Sequence, residues 1–243
     1  QNMPQTISQS FSALRRTKAE DFRFFRRFYL EHYHKFKDAP FQGEIFDTLL
    51  SMTQKRGIKF ALAAPRDSAK SSIISLAYVL YSICCKTETF IILISNTANQ
   101  AENLLNDVKA ELESNERLIQ DFPEACEAGR KPVPPRWSRD EIITRNGVKV
   151  LALGSGQQIR GRRHGQARPS LIVLDDIETG SNTGPESSDK LQDWMTKSVF
   201  KAGTSTTNII FAGTIHHYGS LLSQYINPTL HTGWIKRLYR SII

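Results

Sequence analysis

Apolar positions change period along this chain, and each change marks an element. Over residues 13–38, Phe22, Phe25, Tyr29 and His32/Tyr33 recur every three to four positions with Arg and Lys between them, which predicts an amphipathic helix. Ala39-Pro40 ends it, and a second helix follows over about residues 43–55. Residues 58–63 read as a core strand and 71–85 as a helix. Residues 90–95 (FIILIS) form a continuous apolar run between polar neighbours, as in a parallel strand covered on both faces. A helix is predicted over 97–114, with Thr97 as N-cap. Strand, helix, strand, helix argues for a parallel sheet with covering helices.

Residues 115–139 carry Pro123, Pro132, Pro134 and Pro135 and read as irregular. Residues 141–144 and 148–153 read as a hairpin turning at Asn146-Gly147. The stretch 154–165 (GSGQQIRGRRHG) is basic and glycine-rich, and is expected to be mobile and outside the core. Leu171 to Leu174 run straight into Asp175, Asp176 and Glu178, as a buried strand does when its end opens onto a site. A polar loop over 179–188, a helix over 189–201, a strand over 208–214 and a short helix over 220–226 follow. Residues 234–243 begin another strand or a linker, and residues 1–12 are expected to be loosely attached.

The chemistry concentrates at two strand ends. Ala64-Pro65-Arg66-Asp67-Ser68-Ala69-Lys70-Ser71-Ser72 lies between a strand and a helix, where a P-loop cradles a nucleotide triphosphate. Backbone N–H groups and the helix N-terminus would meet the phosphates. Lys70 would neutralise them and the Ser71 hydroxyl would sit on Mg²⁺. Ala64 and Ala69 replace the two usual glycines, and alanine resists positive φ. Asp175 is placed to hold Mg²⁺ opposite Ser71, and a second carboxylate, Asp176 or Glu178, to orient the attacking water. Thr214, at the end of the 208–214 strand, is placed to sense the γ-phosphate, and Gln42 to touch the nucleotide base.

Composition narrows the class. The 243 residues suffice for one large α/β domain with an appendage, and no apolar run approaches the roughly 20 residues that span a bilayer. Cys84, Cys85 and Cys126 have neither disulfide-framework nor zinc spacing. The net charge of +8 favours a polyanionic partner. Arg162, Arg163, Lys236, Arg237 and Arg240 are the candidates for phosphate-backbone contacts.

Together PRDSAKSS, the IRGRR loop before the acidic strand end, LIVLDDIE and IIFAGT resemble the ATPase domain of the large terminase subunit, the DNA-packaging motor of tailed phages. The resemblance covers about residues 39–230. It implies an α/β P-loop NTPase of ASCE type, a mainly parallel sheet flanked by helices with an N-terminal helical arm. The expected division is 1–50 arm, 51–230 ATPase core and 231–243 linker toward a nuclease domain. It implies ATP and Mg²⁺, with Arg66, Lys70, Ser71 and Ser72 in the P-loop and Asp175 on the metal. Asp176 stands in place of the catalytic glutamate with Glu178 as rival, Thr214 in the coupling motif, and Arg160 as an arginine finger. Implied partners are double-stranded DNA, the portal protein, the small terminase subunit and further copies in a ring of five. The implied location is the host cytoplasm, docked transiently at the procapsid portal vertex. No Asp or Glu follows residue 214, so nuclease activity is not expected of this chain. Two other readings stand beside this one: a helicase-like translocating ATPase, and a non-catalytic basic nucleic-acid-binding module with a degenerate P-loop.

Overall fold

The computed structural model of the chain describes residues 5–33, 37–126, 136–178 and 185–240. Pro132, Pro134, Pro135 and most of the predicted 179–188 loop lie outside them. The N-terminal region is two helices, α1 (Gln5–Ala19) and α2 (Phe22–Tyr29), instead of a single one. Asp21 makes the break, because its carboxylate accepts the Arg23 N–H at 2.8 Å and caps α2. Residues 5–12, expected to be loose, begin α1. That helix is tied down by Arg15, which donates twice at 2.6 Å to the buried Asp121. Tyr29 Oη donates to the same carboxylate at 2.9 Å. Phe22 and Phe25 pack edge-on against Tyr81, so the arm shares the main core.

α3 (Pro40–Gln54) starts with proline at its first turn, where no N–H is needed. It leads into β1 (Lys59–Ala63). After the loop, a π-helical stretch, Ser72–Tyr78, runs into α4 (Val79–Cys84). β2 (Phe90–Ser95) is buried throughout, and α5 (Ala98–Ser114) is capped by Thr97. The stretch read as irregular contains α6 (Glu116–Asp121), capped by Asn115, and β3 (Arg136–Trp137). β4 (Glu141–Ile143) and β5 (Lys149–Gly154) form the hairpin turning at Asn146-Gly147. Then come β6 (Leu171–Asp175) and α7 (Pro185–Trp194), which continues through a π-helical turn, Met195–Val199, into α8 (Phe200–Ala202). β7 (Asn208–Gly213), α9 (Leu221–Ile226) and β8 (Trp234–Leu238) complete the order.

The eight strands form one sheet in the order β3-β4-β5-β2-β6-β7-β1-β8. From β5 to β8 every neighbouring pair is parallel, and β3 and β4 extend it antiparallel. β8 pairs with β1 along its length, so residues 234–238 belong to the sheet and are not a linker. Alternate residues serve opposite faces: Leu62, Leu93, Val173 and Ala212 pack under α1–α6, and Ala63, Ile94, Leu174 and Phe211 pack under α7–α9. Because the strands run the same way, all their C-terminal ends open on one edge.

Candidate functional site at the strand ends

Three adjacent strand ends build the site. β7 lies between β1 and β6, so the loop after Ala63 and the acids after Leu174 flank the tip of β7. Ladder hydrogen bonds continue past the strand ends: Ala64 N donates to Gly213 O at 3.1 Å, and Asp176 N to Ala212 O at 2.9 Å. Gly213 lets the two side chains close over the strand end, since a Cβ on it would lie 3.1 Å from Asp176 Oδ1 and from Leu222 Cδ2 and would push them back.

The 64–70 loop adopts the left-handed backbone without glycine. Asp67 has φ 62° and Ala69 has φ 59°, each at a cost of roughly 1–2 kcal/mol. Such strain concentrates at functional segments. Ala69 O accepts the first helical bond, from Ile73 N at 2.9 Å, so Lys70 and Ser71 open the helix. Gln42 braces the turn: its Nε2 donates to Ser68 O at 3.3 Å, while its Oε1 accepts from Ala39 N at 2.9 Å. The Gln42 amide is thus engaged by protein and rests on the loop. Pro65 and Ser68 are half-buried, Ala64 is buried, and Arg66 and Ser72 are exposed.

The two motifs, about a hundred residues apart in sequence, meet. Ser71 Oγ donates to Asp175 Oδ1 at 3.1 Å, and Lys70 Nζ lies 3.4 Å from Asp176 Oδ2. Lys70 and Asp175 are buried, whereas the Asp176 side chain is 42% exposed. Asp176 Oδ1 also accepts the Thr214 N–H at 3.0 Å, and its own φ of 45° turns the chain sharply out of β6. One residue that sequence reasoning missed is Ser75, one turn beyond Ser71. It is fully buried and donates to Asp175 Oδ2 at 2.6 Å. Two hydroxyls at this spacing on one helix were the available signal. Two side-chain oxygens, Ser68 Oγ and Thr214 Oγ1, are buried here with no hydrogen-bond partner among the described residues, a state that a water, an ion or a ligand would relieve.

Burial raises the Asp175 carboxyl to about 6, Asp176 adds to the rise, and Ser75, Ser71 and Lys70 pull against it. A cation on Asp175 must displace that proton, so affinity for it is expected to fall about tenfold per unit below pH 6. Ser75→Ala removes a donor to the ionised form and moves the midpoint to higher pH. The measurement is Mg²⁺-dependent nucleotide binding against pH for both proteins.

Glu178 sits elsewhere. Its buried carboxylate accepts Leu221 N at 2.6 Å and Leu222 N at 2.8 Å, so it caps the N-terminus of α9. Both oxygens are occupied, and Asp176 is the acid beside Lys70. Arg160 is also away from this edge. It lines a pocket with Arg168, before β6, and with Lys201, before β7, at the edge where the strands begin. Neither Lys70 nor Asp175 nor Asp176 lines the pocket that holds Arg160.

The arrangement could hold phosphates on Lys70 and the loop N–H groups, and a hard cation on Ser71 and Asp175. Among the described residues no cluster of three or more His, Cys, Asp or Glu offers an all-protein metal cage. None of their helices is long and apolar enough to cross a membrane. No family model matches the sequence, and no curated protein matches it.

Proposed function

We propose that this chain is the ATPase motor domain of a viral large terminase, a P-loop NTPase of ASCE type that couples ATP hydrolysis to translocation of double-stranded DNA into a procapsid. The observation that carries the reading is the convergence of Lys70 and Ser71 on Asp176 and Asp175 at one sheet edge. The sequence resemblance supplies the rest: the ring of copies on the portal protein, the small subunit and the host cytoplasm.

The residues fit Mg²⁺·ATP. The orphaned hydroxyls of Ser68 and Thr214 gain partners, and Asp175 and Ser71 offer oxygen ligands. Mg²⁺ would be held by Asp175 and Ser71 and would supply neutralisation of phosphate charge. Lys70 would turn from Asp176 to the γ-phosphate oxygens. That would free Asp176 Oδ2 to take the proton of the attacking water as the water oxygen bonds to the γ-phosphorus and the bridging bond to ADP breaks, while Thr214 N–H keeps the carboxylate oriented. Thr214 follows β7 directly, so a change at Asp176 is felt at the end of that strand. Arg160, remote from its own site, serves the site of a neighbouring copy, a contribution worth about 10³–10⁵ in rate. The isolated chain is therefore a slow ATPase.

The test is DNA-stimulated ATP turnover of the assembled protein. Asp176→Asn is expected to abolish turnover and retain ATP binding. Glu178→Ala is expected to cost about 1 kcal/mol of stability through the lost helix cap, with turnover reduced far less. Equal turnover in Asp176→Asn and wild type removes the assigned base and with it this mechanism.

A further inference from the structure

The stretch 154–165 does not behave as its composition suggests. Ile159 is fully buried in the part of the core covered by α7–α9, which anchors the loop to the body of the protein. Arg162 N donates to Ile159 O at 3.1 Å across a turn whose third residue, Gly161, has φ 84°, a turn that favours glycine. His164 and Ala167 exchange backbone hydrogen bonds at 3.0 Å each, and Lys149 Nζ holds Arg163 O at 3.2 Å. The loop is therefore a fixed frame.

That frame gathers like charges. Arg160, Arg162, Arg163, Arg168 and Lys201 surround a pocket of about 280 Å³, with no carboxylate in its lining. None of the five makes an ion pair among the described residues. Arg168 is positioned by donating to Lys201 O at 3.2 Å. Five cations around one cavity repel one another, and among the described residues no carboxylate compensates them. A single phosphate neutralises at most two of them, whereas a chain of phosphodiesters delivers a charge to each. Guanidinium groups also match phosphate oxygens two by two. Lys236 and Arg237, offered by the sequence for the same task, are partly used internally: Lys236 Nζ donates to Asn227 O at 2.5 Å, and Arg237 Nε lies 3.5 Å from Glu44.

We infer that this arginine pocket, at the sheet edge opposite Lys70, is a binding site for the phosphodiester backbone of a nucleic acid, read without regard to sequence. It gives the polyanionic partner of the proposed function a location, and it stands on its own residues, not on the nucleotide site.

The experiment measures binding of a fluorescent random-sequence DNA duplex over a salt series. The variant combines Arg162→Ala, Arg163→Ala and Lys201→Ala. Arg160 is kept, because it has a role in the proposed turnover. A control combines Lys55→Ala, Lys86→Ala and Lys190→Ala, three exposed lysines with the same change in net charge. The pocket variant is expected to bind roughly tenfold to a hundredfold more weakly at low salt, with the log–log salt slope flatter by about three. The control is expected to stay within a few-fold of wild type. Affinity for an ATP analogue, measured on the same samples, is expected to be unchanged in the pocket variant. Unchanged DNA affinity and slope, equal loss in the control, or tighter binding of an acidic peptide of matched charge each overturn the inference. Failure of all three proteins to bind the ATP analogue, with the DNA result intact, would overturn the ATPase reading and leave the pocket standing.

Discussion

Lys70→Ala is expected to lower ATP turnover of the DNA-bound, assembled protein by about 10³-fold, the scale of losing a preorganised cation at developing charge. Lys70 is buried, and the acid nearest to it is Asp176, itself beside Asp175. Removing the ammonium leaves two neighbouring carboxylates without their cation at the point where, in the proposed function, the phosphates would enter. Lys70→Arg should rescue little, because the planar guanidinium replaces a compact point charge in a closed turn. Single-turnover kinetics with radiolabelled ATP read the effect. Undiminished turnover in Lys70→Ala places the chemistry elsewhere.

The second large effect concerns stability at the opposite edge of the sheet. Glu88 is completely buried, and Arg56 donates to its two oxygens at 2.6 and 2.8 Å and to Ser170 O at 2.8 Å. Beside it, Asn208 Nδ2 donates to Met52 O at 2.7 Å, and Asn208 Oδ1 accepts from Ile58 N at 3.0 Å. This set joins the segments that lead into β1, β2, β6 and β7. Glu88→Ala removes two charge-assisted hydrogen bonds from a solvent-accessible Arg56 and should cost about 2 kcal/mol. In a chain of this size, that lowers Tm by roughly 4–8 °C. The exposed pair Lys197–Asp193, one helical turn apart, is worth less than about 0.5 kcal/mol, and Asp193→Ala should leave Tm almost unchanged. Thermal unfolding of the two variants separates the cases, and similar Tm values would show that the buried pair carries no special weight.

The strands were legible because a parallel sheet covered on both faces needs unbroken apolar runs. Residues 90–95 and 171–174 are such runs, and they pair as neighbours. The hairpin at Asn146-Gly147 was legible because its turn chemistry is local. The break between α1 and α2 was hidden because no glycine or proline marks it, and the capping carboxylate of Asp21 does. β8 was ambiguous because Ile235, Lys236 and Arg237 read as surface, and an edge strand is stabilised mainly by its one neighbour, β1. The alanines in the 64–70 loop looked unfavourable on intrinsic preference, yet Ala69 takes positive φ because the strand before it and the helix after it fix both ends of the turn. Among the acids, sequence order could not separate Asp176 from Glu178. The separation comes from α9, whose amides reach back across 43 residues to hold Glu178. The basic loop was misjudged from its glycines, since one buried side chain, Ile159, is enough to anchor it.

In the proposed function, the turn at Lys70 and the acids at Asp175 and Asp176 act as one site for a triphosphate and its cation. Calorimetric titration with a non-hydrolysable ATP analogue, with and without Mg²⁺, tests it most directly. Saturable one-to-one binding that strengthens with Mg²⁺ in the wild type, loses that Mg²⁺ dependence in Ser71→Ala and disappears in Lys70→Ala is the predicted result. Absence of binding by the wild type, or binding indifferent to Mg²⁺ and to both substitutions, contradicts it.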